Sequence, residues 1–368
     1  MKNVLLVVAR GLLKNGKAGI NGPERRTFNS IDIMQKNNYF VAYSKDGYFY
    51  EQFKTKIGNR LIQFETSGIK DIFAIYKLYK IIKKNNIDIV HIQGPFASDL
   101  YVSIACKLAG AKAVITRPII ISTDSDSTFR KFFMKILDKV IFKYASELVT
   151  ISEKSKNAWS KETAPSSKLK VVYNGTFLDR FIPKQNYQVN EKIKCIMVAQ
   201  FIDEKNHLWF LEKVAKNLIS KFSNIEFIFV GDGYTSLSCK EFVIKNHMQE
   251  HIKFTGNVNN VNELLAEADI SFLPSKKEGV PVSLIESIAT GLPIISDDIA
   301  SVSEVCVNDY NGFLLDMDDE KGWNQAFEKL IKDESLRKAM GVNGRVLAEK
   351  QFDIKVMIEK YESIYDEV

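Results

Sequence analysis

Short runs of β-branched residues alternate with longer amphipathic stretches along the chain. That rhythm leaves few choices other than βαβ units on a parallel sheet. Val4–Ala9, Phe40–Ser44, Ile87–Ile92, Ala113–Thr116, Leu148–Ile151 and Leu169–Tyr173 read as strands, with Ile72–Lys84 and Phe129–Tyr144 among the helices between them. From Asp179 to Glu191 the rhythm stops: Pro183 and polar residues give a segment without period, which reads as a linker. It then restarts. Cys195–Ala199, Ile225–Val230, Ile252–Phe254, Ile270–Leu273 and Pro293–Ser296 read as strands. Leu208–Lys221, Leu237–Asn246, Val261–Ala268, Ser283–Ala289, Trp323–Lys332, Ser335–Ala348 and Ile354–Glu367 read as helices. A length of 368 residues suits two such domains. The expected fold class is α/β, with two Rossmann-like doubly wound domains facing a cleft. The first spans 1–184 and the second 185–351.

Composition matters mainly for what it excludes. With 45% hydrophobic and 26% charged residues the chain is neither disordered nor fibrous. The four cysteines lie far apart with no C-x-x-C pair, which argues against a disulfide framework or zinc ribbon and for a reducing, cytoplasmic setting. Val4–Ala9 is too short for a spanning helix or a signal peptide. Charge divides unevenly. Residues 1–188 hold 31 Lys and Arg against 15 Asp and Glu, and the remainder hold 20 against 30. The acidic second half disfavours nucleic acid as a partner.

The most informative stretch is FLPSKKEGVPVSLIESIATGLPIISDDIASVSE, Phe272 to Glu304. A strand ends near Pro274, a loop carries Glu278, Gly279, Val280 and Pro281, and a helix opens near Ser283 with Glu286 in its first turn. Gly279 lets the backbone approach a ligand. The N–H groups of Val282, Ser283 and Leu284 would face an anion at the helix start. Glu286 would accept from two sugar hydroxyls, and Glu278 at the loop mouth from others.

Glu278 and Glu286 form an E-x7-E pair that resembles the signature of family 4 retaining glycosyltransferases of the GT-B fold. Further segments match in order: MVAQFIDEKNH at 197–207, FVGDG at 229–233, IKFTGNVNNVNELLAEAD at 252–269 and NGFLL at 311–315. VVYNGTFLDRF at 171–181 resembles the family's domain crossing. The resemblance covers the second half strongly and the first half weakly. It implies an acceptor-binding first domain, on which helix 352–368 packs back, and a nucleotide-sugar-binding second domain. Glu286 would hold the ribose hydroxyls of a UDP- or GDP-sugar. Glu278 would contact the transferred sugar, with the backbone of Gly279 to Pro281. Lys205 would bind the diphosphate and serve catalysis with Glu278. Gln200, Val258, Val282 and Ser283 complete the expected donor site. No metal or cofactor is expected beyond the nucleotide sugar, and the acceptor is a glycan, on a lipid carrier by family analogy.

The chain also departs from the pattern. Gln200 stands where the family commonly carries Arg, so one diphosphate cation is missing unless Arg10 or another base helps. Arg117 and Pro118 stand where a His is often found, which leaves His91 as the expected histidine of the catalytic side. Gly16, Gly19 and Gly22 would form a loop approaching acceptor or phosphate. HMQEH at 247–251 is a formal H-x-x-E-H pattern, but it falls at a helix end and carries no metal reading. The D-x-D triplets at 124–126 and 316–318 lie outside any metal context. Arg130–Lys143 forms a basic amphipathic helix, and Lys70, Lys77, Lys80, Lys83 and Lys84 mark a second. Together with the basic first half they suggest peripheral contact with an anionic inner membrane face. Two other functions stay open: a catalytically idle GT-B binding domain, and a nucleotide-sugar epimerase.

Overall fold

The computed structural model describes residues 1–8, 11–12, 18–19, 22–65, 71–93, 97–117, 128–162, 166–188, 191–299 and 301–368. It divides into two units, Met1–Asn174 with Lys355–Val368, and Gly175–Ile354.

In the first unit the strands are β1 (Asn3–Val8), the short antiparallel pair β2 (Gly11–Leu12) and β3 (Ala18–Gly19), β4 (Asn38–Tyr43), β5 (Leu61–Gln63), β6 (Ile89–Gln93), β7 (Lys112–Thr116), β8 (Glu147–Thr150) and β9 (Leu169–Val171). The helices are α1 (Gly22–Ser30), α2 (Tyr50–Ile57), α3 (Phe73–Lys84), α4 (Ala97–Ala109), α5 (Thr128–Tyr144) and α6 (Glu153–Glu162). Seven strands make one parallel sheet in the order β5-β4-β1-β6-β7-β8-β9. Its central strands are apolar runs because helices cover both faces: Val4 to Val8 are all buried, and so is every residue of β6.

The second unit repeats the plan. Its strands are β10 (Ile193–Val198), β11 (Ile225–Val230), β12 (Ile252–Gly256), β13 (Ile270–Leu273), β14 (Ile294–Asp297) and β15 (Gly312–Leu315), all parallel, in the order β12-β11-β10-β13-β14-β15. The helices are α7 (His207–Phe210) and α8 (Lys216–Lys221), joined by a π turn at Leu211–Ala215, then α9 (Ser236–Lys245), α10 (Val261–Glu267), α11 (Val282–Ala289), α12 (Glu320–Lys332) and α13 (Glu334–Gln351). A final helix, α14 (Ile354–Glu367), crosses back, so that Lys355 onward belongs to the first unit. Both sheets are doubly wound, the fold expected from the sequence. In the second, the strand order reverses between β10 and β13, which places a ligand crevice at their carboxyl ends.

Two expectations need correction. The chain passes between units at 174/175, not at 184/185. The segment read as a linker is stitched to the second unit. Lys184 donates its N–H to the Thr290 carbonyl at 2.8 Å and pairs with Asp269 at 2.7 Å. Tyr187 is buried with its hydroxyl on the Gly291 carbonyl, and Arg345 bonds the Phe181 carbonyl. Pro183 and the polar residues satisfy a fixed surface path, so lost periodicity marked an extended strap and not a free tether. The second correction concerns elements left unassigned, among them β5, β15 and α4. At 247–251 the H-x-x-E-H pattern lies past the end of α9, with His247 at φ 55° and the His251 ring on the Ile225 carbonyl at 2.8 Å.

Candidate functional site

The site builds up from three loops at the carboxyl ends of β10, β11 and β13. The first leaves β10 through Ala199, exposed Gln200 and buried Phe201, then tightens into a 3-10 turn at Asp203–Lys205. The second follows β11 and is pressed against the first: Phe201 donates to the Asp232 carbonyl at 3.1 Å, and Thr235 donates to the Phe201 carbonyl at 3.2 Å. The glycines of the G-D-G segment are dictated by this approach. A Cβ on Gly231, which sits at φ 133°, would come within 2.2 Å of the Ala199 carbonyl oxygen, and one on Gly233 within 2.2 Å of that of Phe201. The third loop leaves β13 through buried Ser275. Lys276 donates to the Glu204 carbonyl at 2.7 Å, which brings this loop beside the turn that carries Lys205.

There the Lys205 ammonium meets the Glu278 carboxylate in an ion pair, with 20% and 10% of the two side chains exposed. Two groups singled out for different parts of a donor, Lys205 for the diphosphate and Glu278 for the sugar, therefore share one spot. Gly279, Val280 and Pro281 lead directly from Glu278 into α11. Pro281 is the N-cap residue and supplies no side-chain cap. Among the described residues the N–H groups of Val282 and Ser283 have no acceptor, so they are available to an anion. Leu284, expected to join them, instead donates to the Pro281 carbonyl at 3.1 Å and is removed from the set. Glu286 stands half-buried one turn into the helix. Val258, half-buried, follows β12 on the same edge, where Gly231 donates to the Gly256 carbonyl at 2.9 Å. Lys205, Glu278, the Gly279–Pro281 backbone, Val282, Ser283, Glu286, Gln200 and Val258 thus lie on loops or a helix start at one end of one sheet.

A residue the sequence reading passed over is His207. Asn206, at φ 61°, turns the chain so that His207 is enclosed and stacks on Phe201 with ring centroids 3.9 Å apart. Neither ring nitrogen has a partner among the described residues. Burial, and then the neighbouring Lys205 charge, push its pKa down to about 3, so it is neutral. Its signal was present: it is the only His within the lysine-bearing loop motif. Asp297, at the end of β14, is pushed up to about 6 by burial and by the nearby Asp316 charge.

The first-unit expectations fare differently. His91 is wholly buried in β6, with Nδ1 2.6 Å from the Tyr365 hydroxyl and Nε2 2.8 Å from Thr116 Oγ1. Burial, with the Arg26 charge, lowers its pKa to about 3. With both nitrogens engaged inside its own unit it ties the sheet to α14, and the expectation of a catalytic-side histidine is corrected. Arg117 is likewise enclosed, its guanidinium between Asp99 and Asp138 and over the Trp159 ring. Gly19 belongs to β3 and Gly22 is the first residue of α1, not part of a loop. Gly16, Arg10 and Pro118 lie outside the described residues.

Comparison with known proteins agrees with the fold. The family described as Glycosyl transferases group 1 matches residues 179–347, and that described as Glycosyltransferase Family 4 matches residues 22–180. The chain is 28% identical over 315 residues to an Escherichia coli UDP-Gal:alpha-D-GlcNAc-diphosphoundecaprenol alpha-1,3-galactosyltransferase, covering 81% of this chain and 80% of the relative. It is 29% identical over 360 residues to the Staphylococcus aureus capsular polysaccharide biosynthesis glycosyltransferase CapH, covering 94% and 95%. Among solved structures, Anabaena Alr3699/HepE in complex with UDP superposes with a TM-score of 0.82 over the full length of both chains, at 14% identity.

Proposed function

Since the chain belongs to the group 1 glycosyltransferases and has their GT-B fold, we propose that it transfers a hexose-type unit from a uridine diphosphate sugar, with retention of configuration, to a glycan acceptor on a diphospho-lipid carrier in surface-polysaccharide synthesis. The name of the E. coli relative supports the donor and acceptor classes, and that of a Campylobacter jejuni relative, an N,N'-diacetylbacillosaminyl-diphospho-undecaprenol alpha-1,3-N-acetylgalactosaminyltransferase 25% identical over 358 residues, supports the acceptor class.

The observation that carries the reading is the convergence of Lys205, Glu278 and the open start of α11 where the second sheet's strand order reverses. In transfer, the bond from the anomeric carbon to the diphosphate breaks, a bond to the acceptor oxygen forms, and the acceptor's hydroxyl proton passes to the departing diphosphate. Negative charge grows on the leaving diphosphate. Lys205 and the N–H groups of Val282 and Ser283 face that charge, and the site itself supplies the stabilisation a cation would give. Glu278 receives the sugar hydroxyls through the loop Gly279–Pro281, and Glu286 receives the ribose. Val258 borders the base. No metal has a role in this scheme. The lipid carrier would put the enzyme at the cytoplasmic membrane face.

A thermal-shift titration with UDP, GDP and ADP tests it. UDP at about 100 times its dissociation constant stabilises by roughly 2.7 kcal/mol, a shift of about 5–10 °C. Glu286→Ala should lose that shift. Glu278→Gln should keep or increase it, because Lys205 is released from its partner, while transfer falls by at least about a hundredfold. If no nucleotide shifts the wild type, the idle-domain reading replaces this one. Proton NMR of the product anomer checks retention.

A further inference from the structure

The helix α3 leaves its outer face bare. Counting about 100° per residue, Phe73, Tyr76, Lys77, Lys80 and Lys84 fall on one side, and Ala74, Leu78 and Ile82 on the other. The second set is buried in the core of the first unit. On the outer side Phe73 is 70% exposed and Tyr76 56%, and Ile72, just before the helix, is 68% exposed. Three large apolar side chains side by side on a surface are not what a solvated helix back carries. Lys77, Lys80, Lys83 and Lys84 continue the face and are all exposed. Lys80 lies over the Tyr76 ring at 4.4 Å. α3 contains no acidic residue, and among the described residues none of its lysines forms an ion pair. The nearest acid along the chain, Asp71, accepts the Ala74 N–H and so is turned to the helix start. Glu65, on the neighbouring groove wall with Lys77 and Lys80, accepts from Ser44 and Lys45.

We propose that this face of α3 seats on an anionic lipid surface, with Ile72, Phe73 and Tyr76 entering the boundary between headgroups and acyl chains and the four lysines lying among the headgroup phosphates. The lengthwise order fits a helix in the plane of the interface, apolar at one end and cationic along the rest, about 16 Å long. Charge complementarity selects the partner. Unpaired lysines beside an aromatic step match anionic lipid, whereas an apolar protein groove would leave four ammonium groups unanswered. The other basic helix expected from the sequence, α5, offers a weaker case. Its described side chains expose Ile136 at 44% and Tyr144 at 37%, and its residues 128–135 have no described side chains.

This inference stands apart from the donor site and rests on the proposed function only for its purpose, access to a lipid-linked acceptor. The test is co-sedimentation of the full chain with phosphatidylcholine vesicles containing 30% or no phosphatidylglycerol, alongside UDP thermal shift in solution. Wild type is expected to sediment only with the anionic vesicles. Each lysine near such a surface multiplies partitioning about fivefold, so Lys77→Glu with Lys80→Glu should lower it by more than about 25-fold. Phe73→Ser with Tyr76→Ser should lower it as well. Both pairs are exposed, and a wild-type far-UV circular dichroism spectrum with both unfolding transitions retained in scanning calorimetry will show that the variants are folded in both units. Wild type failing to sediment, equal binding to neutral vesicles, or undiminished sedimentation of both variants would overturn the proposal. Loss of the UDP shift in wild type would instead count against the donor site alone.

Discussion

Lys205 and Glu278 answer each other's charge within a site that must answer the charge of a ligand. In the proposed reaction an incoming diphosphate would compete with Glu278 for the ammonium, and a sugar would compete with Lys205 for the carboxylate. Donor binding would then be an exchange of partners, not the filling of a bare charge. That contact was not visible in sequence, where the two residues lie 73 positions apart, although each was singled out by its own motif. His91 shows the opposite error. It stands inside Ile89–Gln93, and a polar residue within a buried parallel strand belongs to the core. Reading only the strand's end made it look like a site residue. His91 and His207 share a consequence. Both are held at a pKa of about 3, below the free value of 6.5, so the unfolded chain takes up their protons first. The stability they contribute is complete above pH 6.5 and declines as pH falls toward 3. Each should cost about 2 kcal/mol between pH 7 and pH 5. Guanidinium unfolding at the two pH values measures it. His207→Phe, which keeps the stack on Phe201, should reduce the loss of stability between the two pH values by about 2 kcal/mol relative to wild type.

Elements were legible where a single pattern dominated. The central strands of both sheets are apolar runs, and α3 and α14 show clean amphipathic stripes, so their existence and type could be read directly. α4 could not be read in this way. Its sequence, ASDLYVSIACKLA, is apolar on nearly every side, because it is enclosed between the sheet and neighbouring helices. β5 has three residues and β15 four, too few to show alternation. Strand order could not be read from any residue, since register is written in long-range pairs. The loop after β11 gives a prediction at this scale. Gly233→Ala sets a methyl against the Phe201 carbonyl at 2.2 Å, and the loops must part. A cost of about 2–4 kcal/mol and loss of UDP binding are expected, from calorimetry and titration of the purified variant. The same substitution at Gly110, where nothing lies within 4 Å, should spare UDP binding.

The two units are connected twice. The chain enters the second at Gly175 and leaves it at Ile354, and these places lie together. Thr176 donates to the Phe352 carbonyl and Ile354 donates to that of Thr176, both at 2.9 Å, with Gly175 too close to the Ile354 backbone for any side chain. Removing Lys355–Val368 should therefore leave the second unit whole. It should open the first, where Tyr365 meets His91, Glu362 meets Tyr39 and Lys170 meets Glu367. Scanning calorimetry of the truncated chain should show one lost transition and one retained, with UDP still shifting the survivor. The double connection also sets an order in time. A ribosome issues the chain amino end first, and every strand of the first sheet is out before the second unit begins. Its closing piece comes only after Ile354. The second unit can reach its final state while the first still waits, with the pocket around His91 open to water and to whatever chaperone is near. The half that is made first is completed last.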